Sequence, residues 1–83
     1  MTNAFTLAGF DYENYGGSKS VTPESVIDSL RKISGVKYAH SIFGIYNFLI
    51  GSETHTAEEL KILNYNVRKI PGIRDTNTMI IVE

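Results

Sequence analysis

The chain has 83 residues, with eight Lys and Arg against nine Asp and Glu, two His and no Cys. A chain of this length has room for one small hydrophobic core, which is often reinforced by disulfides, metals or oligomerisation. The absence of Cys excludes disulfides and thiolate metal sites, and a formal charge of −1 provides no electrostatic footprint for nucleic acid or an anionic membrane. We therefore expect a single domain over 1–83, with oligomerisation as its added source of stability.

The N-terminal residues 1–7 lack the basic and apolar stretches of a signal peptide, and the sequence has no run of 18 consecutive apolar residues. We expect a soluble, cytoplasmic protein with no membrane partner and no direct nucleic-acid partner.

Residues 4–10 predict the first strand, because β-branched and aromatic residues recur there. The connector at 11–21 is long for a strand-to-helix loop, which usually takes ~2 to 6 residues. It holds Tyr12 and Tyr15, and its glycine- and serine-rich run at 16–20 lacks the spacing of a phosphate-binding loop. We expect a flexible connector, in which the tyrosines either pack passively or fold over a ligand or a neighbouring subunit.

Two segments predict helices of similar design. Thr22 is a good N-cap with Pro23 behind it, and Thr56 stands three residues before Glu59 in capping-box spacing. In each helix the apolar residues fall on one face; they are Val26, Ile27, Leu30 and Ile33 in the first and Leu60, Leu63, Val67 and Ile70 in the second.

The run RKISGVK at 31–37 returns as RKIPGIR at 68–74. Each copy closes a predicted helix and opens a predicted strand, and Gly35 and Gly72 supply the permissive backbone that ends the helix. The chain therefore contains two copies of one helix-then-strand unit.

The remaining strands are predicted at 36–43, 46–52 and 74–82, with a short turn at Gly44-Ile45 joining the first two of these. The resulting order is βαββαβ. This order predicts an α+β, ferredoxin-like fold, an antiparallel sheet with both helices on one face.

Three of the four strands are apolar on both faces. Phe5 and Leu7 alternate with apolar residues in the first strand, and Leu49 and Met79 do the same in the third and fourth. Two helices cover only one face of a sheet, so the other face needs a second sheet to bury it. We expect a homodimer formed through the sheets, a dimeric α/β barrel-like assembly.

Residues suited to catalysis are few. Neither His40 nor His55 is spaced with a nucleophile and an orienting group as a triad requires, and neither belongs to a metal-ligand cluster. Tyr46 and Phe48 alternate as aromatics do in RNA-recognition motifs, but the basic and glycine-rich context of those motifs is missing. We expect no catalytic residue, no metal and no cofactor.

Three short motifs occur in order along the chain: L-x-x-I-x-G-V-x at 30–37, G-x-[YF]-[DN] at 44–47 and a closing T-x-T strand at 76–78. Together they resemble the effector-binding domain of Lrp/AsnC transcription regulators, also called the RAM domain, over nearly the whole chain. In that family the domain follows an N-terminal helix-turn-helix, for which this chain has no room. The resemblance is therefore to the stand-alone form.

The resemblance implies a dimer with face-to-face sheets, often assembled further into a tetramer of dimers, with a small amino acid held between dimers. The family's ligand pocket maps onto Gly44, Tyr46, Asn47, Thr76 and Thr78. The family commonly has Asp where this chain has Asn47, which weakens the case for an ammonium group held by charge. The alternative is that Gly44 and Asn47 only form a hairpin turn and that the threonines only suit a strand.

The leading hypothesis is a non-enzymatic module that senses an amino acid or a similar metabolite and acts through its oligomeric state. Full-length Lrp/AsnC regulators are candidate partners through mixed dimers. The alternative is a small dimeric α+β barrel enzyme of the monooxygenase or isomerase kind, with His40 and the connector tyrosines as its candidate residues. A purely structural assembly protein is a third interpretation.

Overall fold

The computed structural model describes residues 1–82. Its sheet is built around β1 (Thr2–Phe10), in which buried residues alternate with more exposed ones. This strand pairs antiparallel with β3 (Phe48–Thr54) and with β4 (Ile73–Ile80). The strand β2 (Val36–Ser41) pairs antiparallel with β3, so the order across the sheet is β2-β3-β1-β4. This is the ferredoxin-like arrangement predicted from the sequence, with β2 and β4 at the edges.

The two longer helices begin where their capping residues predict. Helix α2 (Pro23–Arg31) follows Thr22, and helix α3 (Ala57–Arg68) follows Thr56. In each case the cap hydroxyl accepts from the backbone N–H three residues on, at 3.1 Å. The side chain at that position, Ser25 or Glu59, accepts in return from the cap N–H, which satisfies two otherwise unpaired donors.

Both helices end within the repeated run, and both turns use a glycine in the left-handed region. Gly35 has a φ of 95° and Gly72 a φ of 102°. Ile33 and Ile70 lie just beyond the helix ends rather than within the helices, but both pack on the core. The duplicated sequence thus produces a duplicated helix end.

One face of the sheet carries the hydrophobic core. Phe10, Phe48 and Ile50 are fully buried against Leu30 of α2 and Val67 of α3. Full burial of side chains of this size contributes about 1.5–3 kcal/mol each. The helices therefore cover the centre of this face, while its β4 edge stays partly exposed.

The opposite face, which we call the open face, carries Phe5, Leu7, Leu49 and Met79, all only half-buried. The Tyr38 ring lies over Gly51 and stacks on the His40 ring at 5.3 Å between centroids. These apolar side chains alternate with the buried ones as the sequence predicts.

The connector after β1 contains a short helix that the sequence analysis missed. Helix α1 (Tyr12–Tyr15) begins at Asp11, whose carboxylate accepts from the backbone N–H of Asn14 at 3.1 Å. The side-chain amide of Asn14 also donates to this carboxylate, at 2.7 Å. This side-chain hydrogen bond, followed by the backbone one, lowers the pKa of Asp11. The predicted flexible connector therefore starts as a capped helical turn.

The β2–β3 connection is longer than the predicted two-residue turn. Strand β2 ends at Ser41 and β3 begins at Phe48, so the loop runs from 42 to 47. Asn47 ends the loop because its backbone N–H donates to the Ala8 carbonyl at 2.9 Å. The last strand also differs from its predicted bounds, since β4 ends at Ile80. Among the described residues, no helix is long and apolar enough to cross a membrane.

Candidate functional site

The β2–β3 loop holds three of the five residues that the resemblance assigns to a ligand. Gly44 has a φ of 148°, a conformation that favours glycine, and a side chain there would meet open space. Phe43 and Ile45 on either side of it are exposed, while Tyr46 is half-buried. The loop tip is therefore apolar and without contacts of its own.

Asn47, at the end of this loop, is bonded to the central strand. Its Oδ1 accepts from the backbone N–H of Phe10 at 2.8 Å, beside the backbone hydrogen bond from Asn47 to Ala8. One lone pair of the side-chain oxygen is thus used within the chain. The Nδ2 group can donate to a ligand, and the second lone pair of Oδ1 can accept from one.

The other two assigned residues lie on β4, on the side of the sheet that the helices cover. Thr76 pairs with Ala8 and Thr78 with Thr6. The Thr78 hydroxyl is 2.8 Å from the Thr6 hydroxyl and donates to Oδ1 of Asn64 at 3.2 Å. Because this amide oxygen only accepts, Thr6 is the donor to Thr78, which leaves Thr78 with one free lone pair.

Strand β1 separates the two halves of the assigned site. The Asn47 end lies on the β3 side of β1, whereas Thr76 and Thr78 lie on the β4 side. Within one chain, the five residues are therefore not brought into a single cavity.

Thr76 lines a cleft of about 520 Å³ at the outer edge of β4, which we call the edge cleft. Its other lining residues are Arg68, Ile73, Arg74 and Asp75. Nε of Arg74 donates to Oδ1 of Asp75 at 3.1 Å, so these two charges are paired with each other. Within residues 1–82, Arg68 has neither a salt-bridge partner nor a side-chain hydrogen bond.

The sequence analysis did not single out Asn64 or Arg68. Both are visible when the two copies of the repeat are aligned on their RKI runs, since Asn64 stands where the first copy has Ile27. Arg68 corresponds to Arg31, and Thr76 to Ala39. The second copy is therefore more polar than the first where α3 meets β4.

A second cleft, of about 470 Å³, lies between the end of β3 and α3 and contains none of the assigned residues. Its acidic groups are already engaged: Glu53 pairs with Lys37 at 3.3 Å, and Glu59 accepts from the His55 backbone N–H at 2.8 Å. Each of these carboxylates thus has one oxygen engaged within the chain.

The residues named for the enzyme alternative lie in different places. His40 is on the open face, away from the helix–sheet interface. Tyr12 packs its ring edge-on against Phe10 at 4.8 Å, and Tyr15 packs on the core. These contacts support the passive-packing interpretation of the connector tyrosines. In the part of the chain described, no three His, Asp or Glu residues are grouped as metal ligands would be.

A scan against protein-family models finds no match for the chain. A search of curated proteins likewise finds none. Solved structures do match. The crystal structure of FFRP-DM1 superposes with a TM-score of 0.79 at 28% sequence identity, over 99% of this chain and 100% of that one.

Two transcription-regulator structures share the fold. AsnC from E. coli matches with a TM-score of 0.79 at 18% identity, over 99% of this chain and 51% of its own. A feast or famine regulatory protein from M. tuberculosis, complexed with L-methionine, matches with a TM-score of 0.75 at 19% identity, over 100% of this chain and 51% of its own. The chain thus spans about half the length of these regulators, and the resemblance to Lrp/AsnC regulators that the sequence predicts is confirmed in the fold.

Proposed function

We propose that this chain is an amino-acid-sensing module of the Lrp/AsnC type that passes ligand occupancy on through its state of assembly. The observation that carries the proposal is its superposition, over its whole length, on half of a regulator complexed with L-methionine. The match to FFRP-DM1 supports the proposal further, because it covers 100% of the FFRP-DM1 chain.

The groups at the assigned positions suit the two ends of a zwitterion. A carboxylate needs N–H or O–H donors, which the Thr76 hydroxyl and the Nδ2 group of Asn47 supply. An ammonium group needs acceptors, and the lone pair left on Thr78 is one. The side chains at these assigned positions are themselves neutral and polar, so they bind the two charged ends by hydrogen bonds.

The proposed assembly is a homodimer whose open faces pack together, with further association into a tetramer of dimers. The half-buried side chains of Phe5, Leu7 and Leu49 supply the apolar surface for the first step. Because β1 separates the two halves of the assigned site, a ligand that contacts both is best accommodated between copies of the chain. Ligand binding then favours the assembled state by its differential affinity.

The open face is also the proposed binding surface for a partner protein. A full-length Lrp/AsnC regulator with an equivalent sheet forms mixed dimers with this chain under the proposal, so occupancy here alters the regulator's assembly. The chain itself then acts as an effector-binding domain without catalytic activity.

Isothermal titration calorimetry of the twenty proteinogenic amino acids into the wild-type protein tests the proposal. We expect at least one of them to bind. Thr76→Val weakens that binding roughly 3- to 10-fold, because one hydrogen bond is lost, and leaves the dimer mass unchanged. Thr76 is the cleanest position to change because its side chain makes no hydrogen bond within the described residues.

Asp28→Asn serves as the matched control and is expected to bind with wild-type affinity, since Asp28 is exposed on α2, away from both the open face and the edge cleft. Failure of every amino acid to bind contradicts the proposed function. Binding that depends on His40 and not on Thr76 favours the enzyme alternative.

A further inference from the structure

We infer that Arg68 and Thr76 form a carboxylate-binding subsite in the edge cleft, and that this subsite takes the α-carboxylate of the amino acid. The inference rests on the proposed function and assigns one end of the ligand to a place in the fold.

The first copy of the repeat shows the structural role that an arginine at this position can have. In the first copy, Arg31 donates from Nε at 3.3 Å and from Nη2 at 2.9 Å to the Ala39 carbonyl, which clamps the end of α2 to the edge strand β2. In the second copy, Arg68 occupies the same place at the end of α3, and Thr76 lies the same eight residues further on. Arg68 nevertheless makes no hydrogen bond to Thr76 in the described structure.

Among residues 1–82, the guanidinium of Arg68 also has no salt-bridge partner. Asp75 is the acidic residue that lines the edge cleft, and its carboxylate is held by Arg74 at 3.1 Å. A side chain at Gly9 would collide with this ion pair, so the pair is packed across the β1 backbone. Of the two cations that line the cleft, Arg68 is therefore the one without an anion among the described residues.

A guanidinium presents parallel N–H donors that match the two oxygens of a carboxylate, and such charge-assisted pairs are stronger than neutral hydrogen bonds. The Thr76 hydroxyl adds a further donor at the same cleft. The volume of about 520 Å³ lies within the range of small-molecule sites. These features together specify a small carboxylate as the occupant.

The ammonium end of the ligand then lies toward Thr78, which is next to the edge cleft but not among its lining residues. Thr76 and Thr78 lie two residues apart on one face of β4, and Asn64 and Arg68 lie one helical turn apart on α3. Asn64 fixes the Thr78 hydroxyl as a donor toward the helix, so that its remaining lone pair accepts from the ammonium group. Strand β4 and helix α3 thus place two donors, Arg68 and Thr76, beside one acceptor, Thr78.

Calorimetry with L-methionine and L-methioninamide, which differ only in the carboxylate, tests the subsite; the amino acid ranked first in the panel above and its amide replace them if methionine does not bind. We expect the wild type to prefer the acid by at least about 10-fold. Arg68→Gln should lower affinity for the acid by on the order of 10-fold or more and leave affinity for the amide unchanged, and Arg68→Lys should recover part of the loss.

Arg31→Gln is the control that the repeat provides. It should retain wild-type affinity for the acid and lower the thermal stability, because its hydrogen bonds to Ala39 are internal. Arg68→Gln should leave the thermal stability unchanged. Wild-type affinity for the acid in Arg68→Gln overturns the subsite and leaves the proposed function intact, whereas a wild type that binds no amino acid contradicts the proposed function itself.

Discussion

Asn47 illustrates how one side chain replaces a missing ladder partner. Strand β3 begins only at Phe48, which lies opposite Ala8. The backbone N–H of Phe10 therefore has no backbone partner on the β3 side of β1. The Asn47 Oδ1 atom accepts from that N–H at 2.8 Å, and Phe10 is almost completely buried. A buried donor without a partner costs free energy, so this amide has a structural role whatever it contributes to a ligand.

Asn47→Ala should lower the free energy of unfolding by about 1–2 kcal/mol, because it leaves the Phe10 N–H unpaired. Asn47→Asp should retain most of the wild-type stability, since a carboxylate oxygen accepts the same hydrogen bond. Urea unfolding followed by circular dichroism measures both. Equal loss in the two variants, or none in Asn47→Ala, would show that the hydrogen bond does not matter for stability.

Among the elements, the turn after α3 is the most tightly packed of those that need a glycine. Gly72 has a φ of 102°, and a Cβ there would lie 2.8 Å from Val26, 2.9 Å from Val21 and 3.1 Å from Phe10. Its carbonyl accepts from the Asp11 backbone N–H at 2.8 Å, which ties the start of α1 to the second repeat. The turn therefore joins both halves of the chain.

Gly72→Ala should lower the free energy of unfolding by about 2–4 kcal/mol, the sum of a left-handed backbone penalty and overpacking. Gly17→Ala provides the comparison, because Gly17 has a φ of 86° with open space around it and should cost only the backbone part, about 1–2 kcal/mol. Chemical denaturation of both variants separates the two contributions. A loss in Gly72→Ala no larger than that in Gly17→Ala would rule out the packing contribution.

The elements that the sequence predicts correctly are those set by local chemistry. Thr22 and Thr56 mark the helix starts, and the alternation in β1 marks its two faces. What the sequence analysis missed depends on distant contacts. The β2–β3 loop ends where Asn47 bonds to Ala8 and Phe10 of β1. Helix α1 is the exception, because Asp11 caps it locally and only the bond from Asp11 to Gly72 is distant.

Arg68 could not be distinguished from Arg31 by sequence alone, because both follow the same helix periodicity in the same repeated run. Only the side-chain geometry shows that the Arg31 guanidinium is bonded within the chain and that the Arg68 guanidinium has no such bond within residues 1–82. A local sequence pattern therefore predicts where such an arginine lies but not whether its guanidinium is free to bind a ligand.

At the scale of the whole molecule, the two faces of the sheet are unequal. One is closed by the helices, while the open face leaves Leu7, Leu49 and Met79 half-exposed in one apolar surface. Burial of such a surface contributes roughly 25 cal/mol per Å², and a chain of 83 residues has little other reserve of stability. The proposed assembly buries this surface, and under the proposal ligand occupancy and assembly are linked.

Sedimentation velocity of the wild-type protein at micromolar concentration, with and without a saturating amino acid, tests this link most directly. The account predicts a species of at least twice the chain mass of 9.3 kDa without ligand, and a shift toward larger assemblies with it. Arg68→Gln should form the same unliganded species but need more amino acid to shift. A 9.3 kDa monomer in both conditions, or an assembly that ligand binding leaves unchanged, would contradict the account.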